Sequence, residues 1–385
     1  MLKIILPMMA VFLLGLLGFW YHFPPNDLIS NTDPSSSNNI LTNEDDAGFA
    51  KAFAPRPFLF PQDHGPHPDF KTEWWYFTGN LKDQSGQRFG YELTFFRFAL
   101  TAKAHKTKSN WRSNQLYMAH LTLTDVNGER FYTQEKFSRA ANGLAGAKKD
   151  RLHVWLHDWQ ASTKRGKDSM IELKAAGNEF NIQLQLEPLK PIMLQGDNGL
   201  SQKSDKPGNA SYYYSYPRLA TTGKLFINDL VHIIEGTSWM DREWSTSALS
   251  KDQIGWDWFA LQLDDGTELM LYQFRRKDGL TDRHSSGTLF TQTSDKIPLT
   301  LKSKTIQVTD HWTSPHSKIT YPSGWEIHIP EQQLRLTVTP LINDQELNTR
   351  FRYWEGAVSI QGTKQNHPIS GQGYVELTGY VKTKP

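Results

Sequence analysis

The sequence predicts an all-β protein made of two tandem antiparallel β-barrels, preceded by an N-terminal transmembrane helix. Three observations lead to this fold class: short alternating segments separated by turn residues, an internal duplication, and an apolar segment near the N-terminus. The composition agrees, because the 385 residues include 13 Trp, 14 Tyr and 21 Phe, and aromatic side chains favour the half-buried surface of a β-sheet. A chain of this length is expected to form more than one domain.

The first segment, residues 4–23, carries no charge and directly follows Lys3. A helix of that length, at about 1.5 Å per residue, spans the roughly 30 Å hydrocarbon core of a bilayer. A cleaved signal peptide is the alternative, but it would end in small residues, whereas Trp20 and Tyr21 are typical of a membrane interface. We expect residues 1–23 to be a retained inner-membrane anchor and the rest to be periplasmic or otherwise extracytoplasmic. A secreted protein is the alternative.

The next segment, residues 24–57, is polar and rich in turn-forming residues, with the run 31–39 at its centre. This composition cannot bury enough apolar surface to offset the entropy that is lost on ordering. It predicts a flexible tether between the anchor and the folded body.

Beyond the tether, apolar and polar residues alternate with a period of two. The alternation is clear in residues 89–95, 180–187 and 334–339, and it is typical of half-buried strands. Turn signals such as Asn127-Gly128 and Asp265-Gly266 separate the alternating runs. This pattern predicts antiparallel sandwiches or barrels.

Three pairs of segments recur in the same order, which indicates an internal duplication. The pairs are residues 74–77 with 256–259, residues 184–188 with 336–340, and residues 236–241 with 371–376. The duplication places a first domain at 58–248 and a second at 249–385. A sheet that closes into a barrel of about eight strands can enclose one small ligand, so each half is a candidate for a cavity.

Composition and missing motifs exclude several function classes. The chain has no cysteine, which excludes disulfides, thiolate nucleophiles and a lipid-modified cysteine. A net charge of +2 without a basic stripe argues against nucleic-acid binding. The sequence lacks a serine nucleophile elbow, a Walker loop and a dinucleotide fingerprint, and His64 and His67 lack a third ligand in a metal-binding pattern. We therefore expect no cofactor and no metal.

Four segments resemble the AttH-like family, whose members are often described as predicted secreted hydrolases and are related to the carotenoid hydratases. The segments are Asp63-His-Gly-Pro-His67 with Lys71-Thr-Glu-Trp-Trp-Tyr-Phe-Thr-Gly-Asn-Leu81, Trp239-Met-Asp-Arg-Glu-Trp-Ser-Thr-Ser247, Tyr353-Trp-Glu-Gly356 and Gly373-Tyr-Val-Glu-Leu-Thr-Gly379. The resemblance covers residues 58–380 and implies two lipocalin-like domains, often associated with an ABC-type export system. It does not imply a particular substrate, because a shared fold does not carry function.

Asp241 is the first candidate for catalysis. Strand alternation places it on one face with Trp239 and Glu243. A carboxyl group in a poorly hydrated aromatic cavity has a raised pKa and can donate a proton near neutrality, and aromatic faces can stabilise the carbocation that an isoprenoid double bond then forms. The resemblance implies the same role, because the carotenoid hydratases have an aromatic-x-Asp motif around their proposed acid. The alternative is a buried ion pair with Arg242.

Two further residues could transfer protons. Glu73, which precedes Trp74, could act as a second acid or base, or could anchor a neighbouring loop. His120 lies on the strand face opposite Leu121 and could relay protons or form a structural hydrogen bond.

Two arginines, Arg97 and Arg275, recur at equivalent positions of the duplication. A basic residue that recurs in both halves is predicted to be structural and to brace a carboxylate such as Asp241 or Glu376.

Aromatic side chains are the predicted ligand contacts, although alternation alone does not decide which strand face lines a cavity. The predicted contacts are Trp74, Tyr76, Tyr214, Tyr216, Trp239, Trp256 and Trp258. Two functions stay open. The first, which the sequence favours, is a membrane-tethered carrier that exchanges a lipophilic isoprenoid or acyl molecule with an ABC transporter permease. The second is a hydratase-type enzyme that acts on an isoprenoid-like substrate with Asp241 as general acid.

Overall fold

The computed structural model describes residues 46–103, 113–164, 167–247, 249–302 and 304–380. The predicted anchor and residues 24–45 of the predicted tether lie outside these residues and stay predictions. Residues 46–57 do not form a free tether, because Ala52 is fully buried and the Ala54 carbonyl accepts the Tyr212 hydroxyl at 3.0 Å. No helix in the described part of the chain has the length and hydropathy needed to cross a membrane. Almost all regular structure there is β-strand, with short 3₁₀ helices at Gln62–His64 and Pro330–Gln332, which confirms the all-β prediction.

The first half forms one large antiparallel sheet. Its strands are β1 (Thr72–Asp83), β2 (Arg88–Ala99), β3 (Gln115–Asp125), β4 (Arg130–Arg139), β5 (Ala145–Ala147), β6 (His153–Leu156), β7 (Trp159–Lys164), β8 (Lys167–Ala176), β9 (Phe180–Pro188), β10 (Met193–Leu194), β11 (Leu200–Gln202), β12 (Ala210–Ile227) and β13 (Leu230–Ser245). The strand order is β4-β3-β2-β1-β13-β12-β9-β8-β7-β6-β5, and β10 and β11 pair with β12. The sheet curls far enough for β6 to pack against β2, β3 and β4.

The second half forms a smaller antiparallel sheet. Its strands are β14 (Gln253–Leu263), β15 (Glu268–Arg276), β16 (Ser286–Phe290), β17 (Lys296–Thr300), β18 (Ile306–Thr313), β19 (Thr320–Ile329), β20 (Leu334–Pro340), β21 (Glu346–Asn348), β22 (Arg352–Lys364) and β23 (His367–Leu377). The order is β17-β16-β15-β14-β23-β22-β20-β19-β18, with β21 paired to β22.

The two strand orders superimpose, as expected from an internal duplication. Strands β4, β3, β2, β1, β13, β12, β9, β8 and β7 match β17, β16, β15, β14, β23, β22, β20, β19 and β18 in turn. The match extends to single residues, because Tyr76 lies opposite Asp241 in the first half just as Trp258 lies opposite Glu376 in the second.

Each curled sheet encloses an apolar core of its own. Trp75 and Phe77 are fully buried inside the first half, and Phe259 and Leu261 inside the second. Burying one large apolar side chain is worth about 1.5–3 kcal/mol, so these filled interiors stabilise each half. The expectation of a ligand cavity inside a barrel is therefore corrected, because core side chains occupy both interiors.

A third apolar cluster lies where the two halves meet. It is built from the alternate strand faces, which point away from the two cores, and its members come from both sheets. They include Tyr76, Tyr213, Trp239, Trp258, Tyr272, Phe274 and Tyr374, with Trp74 and Trp256 packed against them. The strand alternation thus leaves an aromatic face on each half, and the two faces cover each other.

Candidate active site

A pocket opens within this shared aromatic layer and contains about 140 Å³ of free space. The first half contributes aromatic and polar side chains from β1, β2, β3, β12 and β13, and the second half contributes them from β14, β15, β22 and β23. The lining includes Trp74, Tyr76, Phe96, His120, Lys203, Tyr213, Asp241, Glu243, Trp256, Trp258, Tyr272, Phe274, Tyr353 and Glu376. An apolar pocket with a few converging polar groups is the usual form of a small-molecule site.

Asp241 lies in this pocket with its carboxylate held by uncharged donors. The Tyr213 hydroxyl donates to Oδ2, while the Ser215 hydroxyl at 2.5 Å and the Trp239 ring N–H at 2.6 Å donate to Oδ1. Asp241 forms no ion pair with any described basic residue. Burial raises its pKa to about 7, although the three donors oppose this rise. The carboxyl group can therefore gain or lose a proton near neutral pH.

The alternative of an Asp241–Arg242 ion pair is corrected by the structure. Consecutive residues of a strand point to opposite faces, and Arg242 lies on the face away from the pocket. Its guanidinium donates to Glu73 and to the Gly65 carbonyl at 2.6 Å, and stacks over the Trp75 ring at 3.9 Å.

Glu73 is fully buried but lies outside the pocket lining. Arg97 and Arg242 both pair with its carboxylate, and the His67 backbone N–H donates to it at 3.1 Å. Burial alone would raise the pKa of Glu73, but the two guanidinium groups outweigh burial and hold it well below its usual range. The structure thus gives Glu73 the bracing role rather than contact with a ligand.

The recurring arginines brace different carboxylates from those that the sequence suggested. Arg97 pairs with Glu73 rather than Asp241, and Arg275 pairs with Asp257 at 3.0 Å rather than Glu376. Both arginines are structural, as predicted, but Asp241 and Glu376 are left without a guanidinium partner among the described residues.

His120 lies at the end of the pocket that is formed by β3 and β22. Its Nδ1 is 2.6 Å from the Tyr353 hydroxyl of the second half, and its Nε2 is 3.4 Å from Glu135. The ring is completely buried, so it connects a partly exposed carboxylate to a tyrosine of the pocket wall.

The predicted aromatic contacts divide into two groups. Trp74, Tyr76, Trp256 and Trp258 line the pocket, and Trp239 lies directly behind it, 6.4 Å from the Trp258 ring.

Tyr214 and Tyr216 lie on the opposite face of β12, which corrects their assignment as ligand contacts. The Tyr214 hydroxyl is 2.5 Å from His64 Nδ1, and the Tyr216 ring stacks on His64 at 5.9 Å. The tyrosine of this β12 run that lines the pocket is Tyr213, whose hydroxyl also accepts the Trp258 ring N–H at 3.1 Å. Since Ser215 lies opposite Asp241 on the neighbouring strand, the odd-numbered residues of this run face the pocket.

Sequence reasoning also missed a buried ion pair in the pocket wall. The Lys203 ammonium is 2.9 Å from Glu243 and lies over the Tyr272 ring at 4.8 Å. Lys203 follows a very short strand in a segment without alternation, so no sequence pattern marks it. Glu243, in contrast, was placed on the face of Asp241 by the alternation, but its pairing with Lys203 was not predicted.

Glu376 is the second-half counterpart of Asp241. It lines the same pocket, and the Trp256 ring N–H is 3.4 Å from its Oε2. Burial raises the pKa of Glu376 to about 8 against the weaker effect of Trp256, and the negative charges of Glu243 and Asp241 raise it further. The pocket therefore contains two carboxyl groups, one from each half, that titrate near neutrality.

No cluster of three or more potential metal ligands occurs in the described ranges. His67, one of the loop histidines, stacks on Trp244 at 3.7 Å, and its Nε2 is 3.0 Å from Asp63. These contacts fix the loop against the face of β13 that points away from the pocket.

The duplicated halves and their shared pocket define a class: an all-β protein of two large curled sheets with an aromatic pocket between them. The chain belongs to the AttH-like family, whose sequence pattern matches residues 51–380. This confirms the resemblance seen in the sequence.

Individual relatives agree with this membership. The chain is similar to a putative AttH structure from Nitrosomonas europaea, with a TM-score of 0.77 and 33% identity over 87% of this chain and 100% of that one. A crystal structure of kievitone hydratase from Nectria haematococca has the same fold, with a TM-score of 0.65 and 14% identity over 86% of this chain and 95% of that one.

A sequence relative carries the same enzyme name. The kievitone hydratase of Fusarium solani subsp. phaseoli is 23% identical over 220 residues, which is 54% of this chain and 61% of that protein. The chain thus aligns with less than two thirds of that curated relative.

Proposed function

We propose that the protein is a hydratase-type enzyme that adds water to a double bond of a lipophilic, isoprenoid-like substrate in the pocket between the two halves. The observation that carries the proposal is Asp241: a buried carboxyl group in an aromatic pocket, without a cationic partner among the described residues and with a pKa of about 7. A general acid is most effective when its pKa is near the working pH.

The reaction can be written with one residue. The Asp241 carboxyl group gives its proton to one alkene carbon, and the π electrons form the new C–H bond. The positive charge on the other carbon faces the rings of Tyr76, Trp258 and neighbouring aromatic residues, which stabilise cations. A water oxygen then bonds to that carbon, and its surplus proton returns to Asp241. Alkene and water become an alcohol, and the carboxyl group is regenerated.

The relatives support this reaction class. The sequence relative in Fusarium is named a hydratase, and hydration needs a proton donor but neither a nucleophilic serine nor a cofactor. Because that relative is 23% identical to this chain, its name supports the type of reaction, and the substrate is proposed from the aromatic lining alone.

The test is incorporation of labelled water. The purified protein is incubated in H₂¹⁸O with isoprenoid alkenes of several chain lengths, and the alcohols are measured by mass spectrometry. We expect labelled alcohol from the natural protein and a loss of about 10²- to 10⁴-fold in Asp241→Asn. The control is Asp150→Asn, which changes an exposed carboxylate. Full activity in Asp241→Asn would refute the mechanism.

A carrier is the second candidate, and the apolar aromatic walls of the pocket favour it. We propose in this case that residues 1–23 tether the protein to the extracytoplasmic face of the inner membrane and that an ABC transporter permease delivers or removes the lipophilic ligand. Native mass spectrometry of protein from its own membrane fraction separates the two functions. A carrier retains an unchanged lipid, and Asp241→Asn retains it equally well.

A further inference from the structure

Three carboxyl groups, two of them fully buried, meet beside the pocket at the junction of the two halves. Glu376 on β23 faces the pocket, Glu355 lies directly opposite it on β22, and Glu92 approaches from β2 of the first half. Glu355 and Glu92 are fully buried. Carboxylates directly opposite each other on neighbouring strands repel, so this arrangement is costly unless something compensates the charges.

The described basic side chains do not supply this compensation, because none forms an ion pair with the three carboxyl groups. Glu355 Oε1 accepts the Tyr76 hydroxyl at 2.5 Å, whereas Glu355 Oε2 and both oxygens of Glu92 have no hydrogen-bond partner in the described structure. Buried carboxylate oxygens nearly always have partners. The unpartnered oxygens therefore indicate a positive group or protons that the chain itself does not provide.

Another carboxylate of the same pocket, Glu243, has the cationic partner that Glu376 lacks among the described residues. The Lys203 ammonium lies over the rings of Tyr272 and Tyr213, at 4.8 and 5.6 Å, with Glu243 as its counter-charge. Glu376 lies near the Trp256 ring N–H at 3.4 Å and opposite Trp258 on the neighbouring strand, but no described ammonium group pairs with it. Aromatic faces next to a carboxylate are a favourable environment for a cation.

We propose that Glu376, supported by Glu355, is the counter-charge for a positive centre held in the pocket, so that the pocket selects lipophilic ligands that carry or develop a positive charge. Under the proposed hydratase function, this centre is the carbocation that forms when Asp241 protonates the substrate. A lipophilic ammonium compound has the same charge and shape and is the stable analogue of that centre.

Binding of a cation is then coupled to release of a proton. In the free protein Glu376 is mainly protonated at pH 7, because burial raises its pKa to about 8, and a cation in contact with it favours the ionised form. Affinity for a permanently charged ligand should rise with pH up to about 8 and level off above it. The titratable and charged groups described around Glu376 are Asp241 and Glu243 on β13, Lys203 paired with Glu243, Tyr76 on β1, Glu92 on β2, and Tyr353 and Glu355 on β22.

The test uses octyltrimethylammonium and its neutral analogue with carbon in place of nitrogen, each competing with an apolar fluorescent probe. We expect the natural protein to bind the ammonium compound at least about tenfold more tightly than the neutral analogue, which corresponds to a difference of about 1.4 kcal/mol in binding free energy. Calorimetry at pH 7 in buffers of different ionisation enthalpy should show release of close to one proton per ligand. Glu376→Gln should lose both the preference and the proton release, yet bind the neutral analogue as before.

Two further variants serve as controls for the effect of Glu376→Gln on ligand preference. Glu355→Gln should weaken the preference partly, and Glu331→Gln, which changes an exposed carboxylate, should leave it unchanged. Unchanged binding of the neutral analogue shows that Glu376→Gln is folded. Equal affinities for the two ligands, or a preference that survives in Glu376→Gln, would overturn the proposal. Neither result affects the labelled-water test of Asp241, so the two proposals can fail separately.

Discussion

Glu73 and Asp241 are buried carboxyl groups on neighbouring strands, yet their surroundings give them opposite properties. Glu73 is paired with two guanidinium groups, which hold its pKa well below the usual range. Asp241 accepts hydrogen bonds from a tyrosine, a serine and a tryptophan, and burial raises its pKa to about 7. Burial is the largest single influence on both groups, so the charge of the partners decides the direction.

The two sites also lie on opposite faces of the same sheet. Glu73 and Arg242 lie beneath the 63–67 loop on the face of β1 and β13 that also carries core residues of the first half, whereas Asp241 faces the second half. One strand thus carries a locked ion pair and a titratable acid at consecutive positions. The structural role and the chemical role are separated by the pleat of the strand.

The largest effect is expected from breaking the locked site. Glu73→Gln leaves Arg97 and Arg242 buried without their counter-charge, and removing one partner of a buried ion pair costs about 3–5 kcal/mol. Urea denaturation at pH 7 should show this loss in the free energy of unfolding. The control variant Glu331→Gln should have a free energy of unfolding within about 0.5 kcal/mol of that of the natural protein. A loss below about 1 kcal/mol would mean that the guanidinium groups find other partners and that the site is not locked.

The second prediction is that Asp241 and Glu73 make the stability of the protein depend on pH in opposite directions. The folded pKa of Asp241, about 7, lies above its ordinary value of 3.8, so between these pH values the folded state holds a proton that the unfolded state has released. The contribution of Asp241 to the free energy of unfolding therefore falls as pH rises from about 4 to 7, by up to about 1.4 kcal/mol per pH unit. For Glu73 the sign is opposite: its contribution is present above its ordinary pKa of 4.5 and is lost as pH falls below it.

Asp241→Asn should flatten the decline between pH 4 and 7 and be more stable than the natural protein at pH 8, by about 1–4 kcal/mol. Denaturation curves recorded across this range measure the difference. A natural protein whose stability rises steadily from pH 4 to 8 in parallel with Asp241→Asn would show that the raised pKa is absent.

The strand pattern and the duplication could be predicted because they depend on local alternation. The separation of Trp75 and Phe77 from Trp74 and Tyr76 follows from the period of two. The alternation does not show which of these two faces lines a pocket, since both faces of β1 are aromatic or apolar. It is decided by the packing of one half on the other, through contacts such as that of Tyr76 with Glu355, which lie 279 positions apart in the chain.

The partners of the buried charges were unpredictable for the same reason. Glu73 meets Arg242 across 169 positions of the chain. In the tyrosine run of β12 every face is aromatic, so alternation could not reveal which members face the pocket, and the register with β13 shifts between Tyr216 and Leu219. A register offset of one residue exchanges the two faces, which is the error made for Tyr214 and Tyr216.

The third prediction concerns one of the three uncharged hydrogen-bond donors to Asp241. Tyr213→Phe removes the hydroxyl that donates to Asp241 Oδ2, and this donor favours the ionised form. The pKa of Asp241 should therefore rise further, by about one unit. Carbon NMR of labelled aspartate can follow the titration, with Tyr216→Phe as the control outside the pocket. An unchanged or lowered pKa would show that Tyr213 does not stabilise the carboxylate.

The smallest effect is expected on the other face of β12, one residue along the strand. Tyr214→Phe removes a hydroxyl that is bonded to His64 Nδ1 at 2.5 Å, and loss of such a hydrogen bond costs about 0.5–1.5 kcal/mol of stability. Because Tyr214 points away from the pocket, the pKa of Asp241 and the affinity for an apolar probe should not change. If Tyr214→Phe altered the pKa of Asp241 as much as Tyr213→Phe, the two faces would be coupled through the strand itself. The ion-paired Glu73 and the titratable Asp241 would then not be independent of each other.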